Sequence, residues 1–395
     1  MRIGRKISSF WLCRSESITE GNERALRLET IRISNFRNHS LLEFEPGLSI
    51  SNIYGRNGSG KTSILEAIHF CALTKGFAGS SDRDCLSFGE NRFSIKASFI
   101  SDYGTRTEVR VEYTPEQEKR IFVNEQELQI FSRHIGVIPC VTFSPHELSI
   151  VNGPPSERRR FLDTAICQYD RSYMADLQQY RRILQQRNAL LAAFTDQPSS
   201  HTGLEIWTEQ LAAHASSIVL ARLRFISSFR EMFSDVYSWL PGGLSPSLNY
   251  CCSLRQVGID ISKEKLKSIF IERYSELRSQ EIIRRQTLAG PHRDDINLFL
   301  DNRDIRKYAS QGQQRGYLVA MKLTMHRYLH QMSGERPLSL LDDLFSELDD
   351  TVSGLMIDAL SFCGQSLITS TKECAGKGVT SFSIEDAVKK ATDQK

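Results

Sequence analysis

The residues best equipped for chemistry sit in one string, GRNGSGKT, Gly55 to Thr62. A glycine followed after four residues by Gly-Lys-Thr is the spacing of a phosphate loop, or Walker A motif. Gly55, Gly58 and Gly60 let the backbone N–H groups of the loop, with Arg56, Asn57 and Ser59 between them, close around a β-phosphate. Lys61 reaches the β- and γ-phosphates, and the Thr62 hydroxyl ligates Mg²⁺. The context is right as well, because the apolar run LSISNIY precedes the loop and the helix-patterned KTSILEAIHFCAL follows it. A nucleoside triphosphate with Mg²⁺ is the predicted ligand.

A second acidic signal lies about 280 residues further on, in PLSLLDDLFSELD. An apolar strand ending in Asp342 supplies the carboxylate that holds Mg²⁺ opposite the phosphate loop (Walker B). Asp343 follows directly, placed to orient an attacking water as a catalytic group beside Lys61. A third string, YASQGQQRG (Tyr308 to Gly316), opens the helix-patterned YLVAMKLTMHRYLH. Ser310 and Gly312 stand at its start, where unpaired N–H groups, a hydroxyl and the positive end of a helix dipole can grip an anion.

The elements that must position these strings read as a split α/β core. Short strands surround Asn38 and Pro46, and FSIKASFI, TEVRVEYT and KRIFVNEQEL continue as an antiparallel meander appended to the first sheet. From Pro155 the pattern turns helical and charge-laced, with a loop at 195–202, and the α/β pattern returns after GPHRDD with a hairpin, the Ser310 helix and two more strands. The expected organisation is an N-terminal extension at 1–25, the first half of the nucleotide core at 26–154, an inserted helical lobe at 155–288, and the second half of the core at 289–395.

Fifty basic against 47 acidic residues leave a net charge of +3, so any polyanion must be met by local patches. Nine scattered cysteines form no CxxC pair and no zinc spacing, which reads as reduced thiols in a cytoplasmic protein. No apolar run reaches membrane-spanning length. The opening MRIGRKISSFWLC has too short an apolar part for a secretion signal.

Taken in order, the phosphate loop, SQGQQR at a helix start, the Asp342–Asp343 pair, SELD and the closing strand LITST resemble the ABC-type ATPases. The strings IRISNFRNHS, VTFSPHELSIVNGPPSERRRFLD and GPHRDDINLFLDNRDIRKYASQGQQRG narrow the resemblance to the RecF family of bacterial recombination mediators, relatives of the SMC proteins. It covers roughly residues 26 to 370. The resemblance implies an ABC-type ATPase head with an antiparallel β subdomain and an inserted helical lobe. ATP and Mg²⁺ would be the cofactors, with Ser310, Gly312 and Gln313 gripping the nucleotide held by a second chain's Lys61. An ATP-driven homodimer would then clamp gapped or single-strand/double-strand junction DNA. It would work with RecR and RecO and help RecA assemble in recombinational gap repair, replication restart and the SOS response. Arg37 and Asn38 match positions that contact the adenine side. FSPHEL, Phe143 to Leu148, falls where ABC proteins place a glutamine that touches Mg²⁺, and no glutamine is present. Asp343 in place of the usual glutamate, and Thr369 to Thr371 in place of a histidine, imply a weak, DNA-stimulated ATPase used as a switch.

For DNA, the candidate contacts are Arg158, Arg159, Arg181, Arg182 and Arg187 on the first helices of the lobe. The alternative is a solvated face with ion pairs to Glu157, Asp163 and Asp176. His292 either senses nucleotide or braces the return strand. An ATPase subunit of a membrane transporter is the other functional class considered. It would need a surface that couples to membrane helices, and the split core with its long insert argues against it.

Overall fold

In a computed structural model of the chain, residues 26–77, 79–193, 203–254, 257–348, 350–374 and 378–385 are described. The expected extension at 1–25 and the expected loop at 195–202 lie outside them. The chain divides into two compact units. One comprises Met1–Leu148, Asp235–Gly243 and Ser310–Lys395, and the other Ser149–Ser234 and Leu244–Ala309.

The first unit holds two sheets. Strands β1 (Arg27–Phe36), β2 (His39–Phe44), β4 (Phe93–Ile100), β5 (Arg106–Thr114), β6 (Glu118–Val123) and β7 (Gln126–Glu127) form an antiparallel sheet of order β2-β1-β4-β5-β6-β7. Strands β3 (Ile50–Tyr54), β8 (Cys140–Phe143), β12 (Leu338–Leu341), β13 (Ser366–Ser370) and β14 (Val379–Ser383) form a parallel sheet of order β14-β3-β13-β12-β8. The early strands therefore do not share one sheet, as their sequence suggested. β1 alternates buried isoleucines with outward polar residues, whereas β3 and β12 are buried almost throughout, as strands covered on both faces must be.

Helix α1 (Lys61–Leu73) explains the two-layer arrangement. Twelve of its 13 residues are buried, so it has no polar face to turn to water. Its apolar residues belong to one core with Ile31 and Ile33 of the antiparallel sheet and Leu340 and Leu367 of the parallel sheet. Phe70 meets Phe36 and Phe93 edge-on at centroid separations of 5.7 and 6.2 Å.

The second unit contains α2 (Pro155–Cys167), α3 (Arg171–Ala193), α4 (Leu204–Tyr237) up to Ser234, and α5 (Lys263–Arg284). It also contains a small antiparallel sheet, β11-β10-β9, from Arg303–Asp304, Asp295–Leu300 and Pro246–Cys251. The lobe thus begins before Pro155 and ends well past residue 288. The hairpin after GPHRDD pairs with β9, so it belongs to the lobe and not to the core. Back in the first unit, α6 (Gln311–Ser333) ends at Gly334, whose φ of 77° closes the helix with a left-handed residue. Helix α7 (Asp350–Leu360) joins β12 to β13.

Candidate nucleotide-binding site

The phosphate loop, Asp342 and Asp343 sit at the carboxyl edge of the parallel sheet, where open α/β sheets hold ligands. β3 runs into the phosphate loop, and the Gly55 N–H donates to the Ser370 carbonyl at the end of β13. Gly58 and Gly60 have φ of 79° and 92°, which a side chain would oppose. A Cβ on Gly60 would also lie 2.6 Å from His39 Nε2. That nitrogen contacts the Gly60 carbonyl at 2.9 Å, so it carries the proton. Burial pushes the His39 pKa down, which keeps the ring neutral beneath the loop.

Lys61 crosses the loop and donates to the carbonyls of Gly55 and Arg56 at 2.9 and 2.8 Å. Thr62, the next residue, donates its hydroxyl to Asp342 Oδ1 at 2.7 Å across 280 residues of sequence. The Thr369 hydroxyl donates to the same oxygen at 2.8 Å and accepts the Asp343 N–H at 2.9 Å. Asp343 takes the left-handed conformation, φ 43°, which is uncommon outside glycine and sets the start of the following turn. Lys61, Thr62, Asp342 and Asp343 are therefore brought to one place at the sheet edge. Thr369 is the member whose role sequence reasoning missed: it fastens both acids from the neighbouring strand.

The donor set fits Mg²⁺ with a triphosphate. A hydroxyl and a carboxylate are hard oxygen ligands, and Mg²⁺ commonly takes one or two protein groups plus phosphate and water. Among the described residues no group of three or more His, Cys, Asp or Glu could hold a metal alone. Ser59 Oγ, inside the loop, is buried without a hydrogen-bond partner, an orphan that a phosphate oxygen would satisfy.

Arg37 is committed elsewhere. Its Nε and Nη2 donate to Glu66 at 2.9 and 3.0 Å, and further bonds reach Ser80 Oγ and the Asp84 carbonyl. Glu66 lies one turn after Thr62 in α1. Burial raises its pKa, Arg37 opposes that shift, and the nearby Asp342 charge adds to it. Arg37 thus fastens α1 through Glu66, and of the pair it is the exposed Asn38 that reaches the loop itself, donating to the Gly58 carbonyl at 3.1 Å.

At the start of α6, Ser310 is the N-cap. Its hydroxyl accepts the Gln313 N–H at 3.2 Å, and Gln313 Oε1 accepts the Ser310 N–H at 2.8 Å. This closed capping box satisfies both side chains. With Gln314 N–H bonded to the Ser310 carbonyl, the N–H groups of Gln311 and Gly312 remain at the exposed tip. Among the described residues no hydrogen bond joins Ser310, Gly312 or Gln313 to the phosphate loop. Nothing lies within 4 Å of where a Cβ on Gly312 would stand.

The lobe corrects two of the arginines expected to face DNA. Arg158 is 1% exposed and donates through Nε and Nη2 to Asp295 at 2.7 and 3.0 Å. Arg187 is equally buried, with Nη2 2.6 Å from Glu281 and Nη1 2.8 Å from Thr287. Both are core ion pairs, because the helix face they occupy is covered by elements some 100 residues away. Arg159 is half-buried and donates to the Asp294 carbonyl at 2.8 Å. Arg181 and Arg182 are exposed, and Arg181 lies 3.2 Å from Asp163. His292 braces: Nδ1 meets the Tyr180 hydroxyl at 2.5 Å and Nε2 faces the Thr287 carbonyl at 3.3 Å.

A phosphate loop whose threonine meets the carboxylate of a separate parallel strand, in a chain that also carries an antiparallel sheet and an inserted helical unit, defines a P-loop ATPase head of the ABC class. The AAA domain family matches residues 30–233. The DNA replication and repair protein RecF of Chlorobaculum parvum is 60% identical over 361 residues, covering 91% of this chain and 98% of the relative. RecF of Chloroherpeton thalassium is 39% identical over 350 residues, covering 88% and 95%. The chain belongs to the RecF family. The solved structure of the recombination mediator protein RecF-ATP in the RecFOR pathway superposes with a TM-score of 0.85 at 28% identity, covering 91% of this chain and 96% of that one. An Smc head domain from Pyrococcus furiosus shares the fold at a TM-score of 0.51 and 15% identity. No helix among the described residues is long and apolar enough to cross a membrane.

Proposed function

We propose that the protein is an ATP-dependent DNA-binding protein of recombinational gap repair, in which ATP closes a homodimer on gapped or junction DNA and slow hydrolysis reopens it. The observation that carries this reading is the exposed tip of α6. Its capping side chains are satisfied, yet two backbone N–H groups and the helix dipole face outward, away from any bond to the chain's own phosphate loop. A γ-phosphate held by a second chain's Lys61 and Thr62 is the anion that suits them, and symmetry then gives two bound nucleotides per dimer.

ATP supplies phosphates that neutralise these charges and Mg²⁺ offsets theirs. The chain's part is to hold Thr62 and Asp342 in line through Thr369, to keep Lys61 across the loop, and to set Asp343 where it orients water. Asp343 has a shorter reach than glutamate, which agrees with hydrolysis acting as a timer. On the lobe, the exposed Arg181 and Arg182 are the phosphate-contact candidates that remain, with the half-buried Arg159 as a third. Contacts to phosphates without base reading suit a protein that recognises a DNA junction by shape. RecR and RecO are the expected partners, and RecA loading the expected outcome.

The test is Gly312→Glu. Glutamate at the second position of a helix suits the dipole and has free space, so the fold keeps its stability. The new charge would repel a facing phosphate. Fluorescence anisotropy with a gapped duplex should show ATP-enhanced binding in the wild type and none in the variant. Equal enhancement in both would refute the role of this helix.

A further inference from the structure

The FSPHEL segment has no glutamine to read the metal site, and the fold shows what stands there. β8 runs beside β12 with Phe143 level with Leu341, and the Asp342 N–H donates to the Phe143 carbonyl at 2.8 Å. The ladder therefore continues one residue past both strands and sets Ser144 level with Asp342. On the other side of β12, β13 sets Thr369 level with Asp342 in the same way. Level residues on neighbouring strands project to one face of a sheet, about 5 Å apart. Ser144 thus shares the row of Asp342 and Thr369, at the carboxyl edge where Thr62 also arrives. It is 1% exposed, and its hydroxyl has no hydrogen-bond partner. An unpaired buried hydroxyl costs about 1–3 kcal/mol, so its retention needs a reason.

The turn that follows connects this row to α6. The Ser144 N–H donates to Glu147 Oε2 at 3.1 Å. Glu147 Oε1 accepts from Thr142 Oγ1 at 3.0 Å and from Lys322 Nζ at 2.5 Å. Lys322 is 3% exposed in the middle of α6, among Val319, Met321 and Leu323. A buried ammonium held by a carboxylate is a stiff link, because separating the pair would leave a charge uncompensated. Three turns of helix, about 16 Å, carry that link to the tip at Gln311 and Gly312.

We infer that Ser144, Glu147 and Lys322 couple the metal–nucleotide site to the tip of α6, with the Ser144 hydroxyl as the group that responds to Mg²⁺-bound nucleotide. This rests on the function proposed above. Ser144 is a positioning residue of the metal site, and Glu147 and Lys322 transmit its displacement. The arrangement makes the grip on a second chain's phosphate depend on the chain's own nucleotide being complete with its metal.

The test is hydrogen–deuterium exchange over residues 311–322, with ATP in Mg²⁺ against ATP in EDTA. ATP binding is followed in parallel with a fluorescent analogue, and dimer fraction by sedimentation. In the wild type, Mg²⁺ should slow exchange across this segment at least threefold. Ser144→Ala, a mild truncation, should raise the Mg²⁺ concentration at half-response at least threefold. Glu147→Gln with Lys322→Met removes both charges of the pair together, the buried ammonium and its half-buried carboxylate. It should bind the ATP analogue within twofold of wild type while losing the exchange response. Wild-type behaviour in both variants would overturn the coupling alone. A wild type that binds no ATP overturns the proposed function and the coupling with it, and one that binds ATP with no Mg²⁺-dependent exchange overturns the coupling.

Discussion

Replacing Arg187 by leucine separates a core arginine from a DNA contact. Arg187 and Glu281 are 1% and 0% exposed. The guanidinium fills its site with bonds to Glu281, Thr287 and Thr208 Oγ1, and lies 5.0 Å over the Tyr274 ring. Among the described residues, leucine would leave the Glu281 carboxylate only the Leu288 N–H at 2.8 Å. Removing one partner of such a buried pair costs about 3–5 kcal/mol. With about 2–4 °C of midpoint per kcal/mol for a domain of this size, the lobe's thermal transition should fall by roughly 6–20 °C. Differential scanning calorimetry reads this as a shifted transition, since a two-unit chain has no single unfolding free energy. Arg187→Met with Glu281→Leu should recover most of the loss, because two apolar side chains then replace two charges. Well below the midpoint, Arg187→Leu should bind gapped duplex within twofold of wild type. A variant that melts with the wild type yet binds DNA tenfold more weakly would refute the core assignment.

Three further outcomes follow from the same geometry. Thr369→Val removes the hydroxyl that holds Asp342 and strands the Asp343 N–H, so about 1–3 kcal/mol of local order is lost; ATPase assays should show slower turnover, and an unchanged rate would remove Thr369 from the site. Charge reversal at Arg181 and Arg182 should flatten the salt dependence of DNA binding by about two in slope, and an unaltered slope would return both to a solvated face. For pH, burial depresses His292 to about 4. The unfolded chain then binds more protons between pH 6.5 and 4, so lobe stability falls as pH falls, at up to about 1.4 kcal/mol per unit. Denaturant midpoints across that window should show a shallower slope in His292→Gln, and an identical slope would place the acid sensitivity elsewhere.

The phosphate loop was legible because its chemistry is local: glycine, lysine and threonine at fixed spacing between a strand and a helix. Asp342 and the Ser310 cap were legible for the same reason. What escaped depends on partners distant in sequence. Arg158 reads as surface in a run of three arginines, and its pairing with Asp295, 137 residues away, is what no local pattern reveals. Thr369 acquires its role from β13 lying between β3 and β12, an order that no local pattern states. The lobe boundary slipped because the hairpin of β10 and β11 looks like any core hairpin until β9 is seen to pair with it. Arg37 could be placed near the loop, but its commitment to Glu66 required α1 to be wedged between two sheets.

The most direct measurement is sedimentation velocity of Asp343→Asn with Mg²⁺ and ATP, then with ADP, each with and without a gapped duplex. The substitution keeps the Thr62–Asp342–Thr369 cluster and removes the group placed to orient water, so a closed state should persist. A dimer with ATP, absent with ADP and tightened by DNA, is the predicted result. A monomer under every condition while ATP still binds would contradict the clamp and leave the tip of α6 to some other partner.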